Sequence, residues 1–310
     1  MFASLILTVF TIVQLNCENL FDCKHDSLKN DLEFCPQGKR QWDNNKYWRK
    51  LDNIAQEIAG CAGDQTLPDI VTLCEVENDS VMRDLTKRTS LRGARYEYVM
   101  TDSKDARGID VAIMYNTFSF KLLDHYPLTP NIINPNHPPR DILYAKGLTT
   151  KGDTLHIMAV HAPSKYGGKK ATETRRMRVA EKIIETTDSI LSKSKDAIII
   201  VSGDFNATMN EPSMLHLESQ GMTNVTKTAK GRNGSEGSYR YKGKWESIDH
   251  ILIRSQWASI VTDSYIYDLP NLLEREKKYG GVKPRRSFVG FRFNPNGHSD
   301  HLPVVITLDL

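Results

Sequence analysis

Six short stretches of this 310-residue chain gather Asp, Glu, Asn and His beside apolar runs: QLNCEN, TLCEVEN, AVHAPS, SGDFNA, SIDHIL and GHSDHLPV. In the fourth, Asp204 and Asn206 follow the apolar run Ala197–Val201 and stand two positions apart. Alternate side chains of a strand leave on the same face, so the two polar groups project together while Phe205 turns to the core. Such residues at strand ends are what one rim of a sheet gathers into a shared site.

The inventory suits phosphoester hydrolysis. That reaction needs a hard cation on the phosphoryl oxygens, an aligned water, groups that stabilise developing charge, and a proton for the leaving oxygen. Glu75 is the first choice for a Mg²⁺ ligand, because Mg²⁺ takes few carboxylates and keeps several waters. Asn16 is placed to orient that carboxylate. Asp204 is expected to hold or deprotonate the attacking water, and Asn206 to donate its amide to a phosphate oxygen. His301 is expected to bind phosphate as an imidazolium paired with Asp249. Adjacent strand residues face apart, so Asp300 is assigned instead to the metal or the water. His161 serves from the opposite side. Taken singly, a carboxylate at a strand end is more often a turn or cap residue; the ordered set is the specific feature. HSDH lacks a partner cluster with structural-zinc spacing.

Positioning these groups requires strands, which the apolar patterning places at Val9–Leu15, Asp69–Cys74, Tyr96–Met100, Val111–Tyr115, Tyr144–Thr150, Thr154–Val160, Ala197–Val201, Ile248–Ile253 and Leu302–Leu308. Helical periodicity falls at Lys46–Ala59, Val81–Arg88 and Thr172–Leu191, with a shorter helix after Pro212. Polar stretches such as Lys227–Lys244 read as loops rather than linkers, so residues 1–310 form a single α/β domain.

The apolar start is too short to span a bilayer, and nothing else in the chain reads as an integral membrane segment. Val9–Leu15 is better used as a first buried strand, which leaves only Met1–Thr8 as a leader remnant and the compartment open between cytoplasm and export. Lys and Arg number 41 against 38 Asp and Glu, so any polyanion site must be local. The chain lacks the basic excess and stacking aromatics of a processive nucleic-acid binder. All five cysteines lie before residue 75 without CxxC pairs, which reads as free thiols, with a Cys23–Cys35 bridge as the exported alternative.

The ordered set resembles the endonuclease/exonuclease/phosphatase superfamily, and the resemblance spans essentially the whole chain. LNCENLFD resembles its first motif and places a metal-site Asn at Asn16; LCEVEN resembles the motif of the metal-binding Glu, here Glu75. GDFNAT is the most specific match and carries the Asp and Asn roles to Asp204 and Asn206. SIDHIL carries an Asp at Asp249, and GHSDHLPV the terminal Asp300 and His301. VHAPS looks like the DNase I-type middle motif, whose His is a proton donor, here His161. DARGIDVAIMY resembles the bordering strand, where Arg107 would contact phosphate and Asp110 would orient His161. The family implies a four-layer αββα sandwich of two mixed sheets flanked by helices, with Mg²⁺ as cofactor and Mn²⁺ as a substitute.

For the substrate, the places where inositol 5-phosphatases carry an aromatic before GD and a CDRIL-like segment read VSGDFNAT and SIDHILI. A nuclease or phosphodiesterase is therefore favoured, with DNA or RNA among its substrates, over a phosphomonoesterase or phospholipid-headgroup hydrolase and over a silent binding protein. The basic run Lys165–Arg178 offers Ser164 and Arg176 to phosphate, helped by helix N-terminal amides, and Lys283–Arg286 is a similar run. Either is equally well read as a solvated basic face. No protein partner is inferable.

Overall fold

A computed structural model describes residues 9–63, 66–131 and 138–310, apart from the side chains of Lys169 and Ala171. The Met1–Thr8 segment lies outside the described residues. In chain order the strands are β1 (Phe10–Leu20), β2 (Ile70–Val76), β3 (Tyr96–Met100), β4 (Asp110–Asn116), β5 (Phe120–Leu128), β6 (Ile142–Thr149), β7 (Thr154–His161), β8 (Ile198–Asp204) and β9 (Met222–Asn224). They continue as β10 (Tyr239–Tyr241), β11 (Lys244–Glu246), β12 (Asp249–Arg254), β13 (Val261–Ile266), β14 (Leu273–Arg275), β15 (Val282–Pro284), β16 (Phe288–Val289), β17 (Arg292–Phe293) and β18 (Val304–Leu308). The helices are α1 (Asn44–Gly60), α2 (Asp79–Arg88), α3 (Lys169–Lys193) and α4 (Pro212–Ser219).

Two six-stranded sheets carry the fold, ordered β13-β18-β1-β2-β4-β3 and β5-β6-β7-β8-β12-β9. Each holds one parallel pair, β1 with β2 and β7 with β8, and the rest are antiparallel. A parallel pair needs a crossover, and here it is a helix, α1 in the first case and α3 in the second. The helices cover the outer faces. Leu51, Ile54 and Leu85 of α1 and α2 pack with Val13, Val71 and Met114, whereas Val179, Ile183 and Leu217 of α3 and α4 pack with Met158, Ile199 and Val201. Ile12, Ile70, Ile113, Ile157, Ile200 and Ile251 fill the layer between the sheets. The result is the four-layer αββα sandwich.

Polarity changes along that inner layer. On β1 it runs Ile12, Gln14, Asn16; on β2 Ile70, Thr72; on β8 Ile200, Ser202, Asp204; and on β12 Ile253, Ile251, Asp249. The middle rung is a buried hydrogen-bonded group, with Thr72 Oγ1 2.6 Å from Ser202 Oγ and 2.7 Å from Gln14 Oε1. Gly203 is fixed by close approach, since a Cβ there would fall 1.9 Å from the Val160 carbonyl oxygen.

All nine expected strands form. β1 runs five residues beyond its expected end, to Leu20, and β8 three beyond, to Asp204. The edge strands β5 and β13, FKLLDHYPL and VTDSYI, escape the patterning because neither has a continuous buried face to impose a period-two alternation. The three-residue β9 is too short to show a period. All five cysteines are free, so the Cys23–Cys35 bridge does not form. No helix among the described residues is long and apolar enough to cross a membrane.

Ile200 is fully buried between the sheets, so Ile200→Ala should cost about 2–5 kcal/mol by the transfer and cavity terms. The urea midpoint checks it; an unchanged midpoint would mean that the sheets do not pack on this layer.

Candidate active site

The register of the second sheet sets three polar side chains in a row. His161 of β7 lies opposite Asp204 of β8, and Asp204 opposite Asp249 of β12. Facing them across the layer is Asn16 of β1, whose Nδ2 donates to Asp204 Oδ2 at 3.1 Å. Asp204 ends its strand, and Asn206 reaches the same side through a left-handed backbone, φ 48°, while Phe205 packs into the helix-side core.

Glu75 would face away from the layer if β2 stayed regular. Instead the register breaks between Cys74 and Val76 and Glu75 takes φ 62°, while β1 breaks at the same level with Glu18 at 50° and Asn19 at 60°. These two bulges bring Glu75 into the cleft. Its Oε2 accepts from the Asn19 backbone N–H at 2.9 Å, so Asn19 orients it and not Asn16, whose Oδ1 accepts from the Glu18 N–H. Glu75 Oε1 takes no hydrogen bond among the described residues and lies 3.9 Å from both His161 Nε2 and Arg107 Nη2. A carboxylate oxygen left open in a cleft is a hard donor of the kind a divalent cation requires.

The electrostatics divide the row. Asp204 is 2 % exposed, and burial, then the neighbouring Asp249, raise its pKa to about 7, against the contrary pull of His301 and its own hydrogen bonds. Asp249 and His301 form a pair at 2.7 Å, and Ser238 Oγ donates to the same Asp249 oxygen at 2.6 Å. Burial opposes both charges, but each holds the other: the imidazole sits well above its usual pKa and the carboxyl below its own. Tyr239 covers the imidazole with ring centroids 4.8 Å apart. His161 goes the other way, held neutral by burial and then by the Arg140 and Arg107 guanidiniums, and this outweighs carboxylates no nearer than 3.7 Å. Asp204, Asp249 and His301 can bring one ligand atom each within 4.8 Å of one another, a grouping that could hold a metal ion. The Asp249–His301 bond already occupies one ligand atom of each, and both Asp204 oxygens accept hydrogen bonds from Asn16 or Asn206, which leaves Glu75 Oε1 as the open carboxylate oxygen.

Several expectations need correction. Asn206 has no amide hydrogen left for phosphate, because its Nδ2 donates to Ala162 O at 3.1 Å and Asp204 Oδ2 at 3.2 Å; it positions Asp204. Asp110 does not orient His161. Its carboxylate accepts from Thr101 Oγ1 and the Ser103 N–H, and His161 Nδ1 has no partner among the described residues. Arg176 is 1 % exposed on the inner face of α3, tied to Thr172 and Glu173, so it cannot reach substrate. A neutral His161 is a hydrogen-bonding group rather than a ready proton donor. Asp300 pairs with Arg286 at 2.7 Å and stands 4.0 Å from His301 Nε2.

Ser164 and Arg107 do line the cleft, whose volume is ≈1060 Å³. Glu18, Arg140 and Tyr239 line it too, and sequence reasoning passed over all three. Glu18 stood two positions from Asn16 inside QLNCEN. Arg140 reaches the site by donating to the His161 and Ala162 carbonyls, which no motif marks. Glu18 is buried against Arg286 and the Ser287 N–H, and burial with the nearby Asp300 raises its pKa to about 7.

The two histidines give a prediction. Ring-nitrogen NMR at pH 7 should find His301 protonated and His161 neutral. The folded His301 pKa is raised, so its stabilising charge is fully present below the ordinary histidine range and is lost only as pH rises through the folded value. A neutral His301 at pH 7 would remove the pair.

Residues 11–310 match the Endonuclease/Exonuclease/phosphatase family. No curated protein matches. Among solved structures, the chain is similar to an endonuclease/exonuclease/phosphatase from Bacteroides vulgatus, with 17 % identity, 98 % of this chain and 99 % of that one covered, and TM-score 0.64. The human Nocturnin catalytic domain with bound sulfate gives 16 %, 96 %, 93 % and 0.57, and a mannosyl-6-phosphatase from Bacteroides thetaiotaomicron VPI-5482 gives 16 %, 96 %, 98 % and 0.55. The likeness at this identity carries the fold, and the matched span carries the assignment: the chain belongs to the endonuclease/exonuclease/phosphatase family of phosphoester hydrolases.

Proposed function

We propose that the chain is a Mg²⁺-dependent phosphodiesterase, a nuclease among its forms, with Mn²⁺ as a substitute ion. The observation that carries this reading is Asp204: a carboxylate at the end of a buried strand, held by Asn16 and Asn206, with its pKa raised to about 7. That is where a general base works best at neutral pH. Asp204 accepts the proton of the attacking water. His301, protonated by its pairing with Asp249, turns Nε2 to the cleft and stabilises charge on the phosphoryl oxygens. Neutral His161 hydrogen-bonds there through Nε2, and Arg140 holds its backbone carbonyl. Glu75, with its open Oε1, would be the first ligand of the ion, with Asn16 and Asp300 of the same cleft completing the set, and the ion would supply Lewis-acid polarisation of the phosphoryl group.

The cleft's cations support a diester over a monoester. Arg286 faces Glu18 and Asp300, Arg140 faces Asp105 at 2.9 Å, and Lys165 faces Glu211 at 2.9 Å and Glu246 at 3.3 Å. With these charges already matched, a monoanionic diester needs less new compensation than a dianion.

Hydrolysis of a bis-aryl phosphate, plasmid DNA, RNA and inositol phosphates, each with Mg²⁺ or chelator, tests the reading. Activity on diesters that chelator removes is expected; cleavage of the inositol phosphates alone would shift the assignment to a phosphomonoesterase. Asp204→Asn should lower kcat by about 10²–10⁴-fold, the usual general-base contribution, without moving the melting temperature downward. Wild-type turnover in that variant would refute the role. Wild-type kcat/KM should fall as pH drops through about 7, where Asp204 takes up its proton. His161→Ala should slow alkyl and activated aryl esters equally, since a hydrogen-bonding group does not discriminate by leaving group; a larger loss on alkyl esters would restore His161 as the acid.

A further inference from the structure

Beside the active cleft lies a second groove, of ≈930 Å³, formed where the segment before α1 and the first turns of α1 meet the β16–β17 hairpin and the residues after it. Lys39, Arg40, Lys46, Arg49 and Arg292 line it, and among the described residues no acidic side chain does. Arg40 also lines the active cleft, so the two depressions are neighbours that share a wall. Their charge differs in kind. The cleft's cations face carboxylates, whereas in the groove, among the described residues, only Arg40 does, pairing with Glu33 at 3.1 Å. Lys46 and Arg49 donate to backbone carbonyls, of Gln41 and Pro295 respectively, which fixes their positions without cancelling their charge. Lys39 lies 5.7 Å from the centroid of the Phe291 ring, and that ring is 54 % exposed.

We infer that this groove binds the single-stranded nucleic acid flanking the scissile phosphate, with Lys39, Lys46, Arg49 and Arg292 on successive phosphates and Phe291 against a base. The inference rests on the proposed phosphodiesterase activity for the identity of the bond cut, but its own content is binding. Uncompensated cations lining one groove suit a polyanion, and an exposed ring beside them suits a strand whose bases are free to stack. The groove joins Lys39–Arg49 to Phe291–Asn296, segments some 250 positions apart, which is why the near-neutral sequence conceals it.

The experiment measures binding of a labelled twelve-nucleotide single strand, in chelator so that nothing is cut, across about 50–200 mM salt. The side chains of Lys39 and Arg292 donate no hydrogen bond among the described residues, so the double variant Lys39→Gln/Arg292→Gln leaves the fold intact, as its melting temperature will report. It should weaken the strand by about tenfold at the lowest salt and flatten the log–log salt dependence by roughly 1.4, two phosphate contacts at about 0.7 each. Phe291→Ala should weaken the strand several-fold and leave an abasic strand of equal length unchanged. Wild-type affinity and salt slope in the double variant would overturn the groove. Equal displacement of the strand by a polyglutamate of matched charge would overturn the nucleic-acid assignment. Failure of the activity reading looks different: the strand binds through the groove, but no phosphodiester of any kind is hydrolysed when Mg²⁺ is restored.

Discussion

Two sheets packed face to face can hide polar groups only where each finds a partner, and the layer between these sheets obeys that constraint by degrees. Isoleucines occupy one end, the Gln14–Thr72–Ser202 group satisfies itself in the middle, and carboxylates and imidazoles meet at the rim. A buried hydroxyl or amide without a partner costs more than its bond returns, so the middle rung is what allows charge to sit so close to the apolar core. The same dryness perturbs the rim: Asp204 is driven up and His161 down by burial before any neighbour acts.

Within that dry rim, pairing decides which charges survive. Asp249 and His301 keep theirs because each compensates the other, and Ser238 completes the carboxylate. His161, two strands away, has two carboxylates just beyond hydrogen-bonding distance and guanidiniums nearby, and it stays neutral. Residues of one type thus acquire opposite protonation states within a single row of strands, as acid–base division of labour requires.

Much of this was readable in the chain. The apolar runs at Ala197–Val201 and Thr154–Val160 announce their strands, and the polar residues at their ends fall in one cleft because neighbouring strands end at the same level. Period-two alternation put Asp204 and Asn206 on one side, although Asn206 arrives there by a left-handed turn instead of a continued strand. What the chain concealed was of three kinds. Edge strands such as β5 lack a buried face to pattern. Side-chain partners such as Arg140 on the His161 carbonyl, or Arg176 with Glu173, depend on which way a long side chain folds. Hydrogen-bond saturation, which withdraws Asn206 from phosphate, depends on a carbonyl contributed from β7's end.

The paired bulges on β1 and β2 have a consequence of their own. Glu75 points into the cleft only because its strand carries one residue more than its neighbour β4 at that level, and the Asn19 amide that steadies it comes from a matching excess on β1. The arrangement is a property of the backbone register, not of the side chain at position 75 alone. Loss of one position at that level of β2 would restore the regular alternation and turn the carboxylate out of the cleft towards the helices.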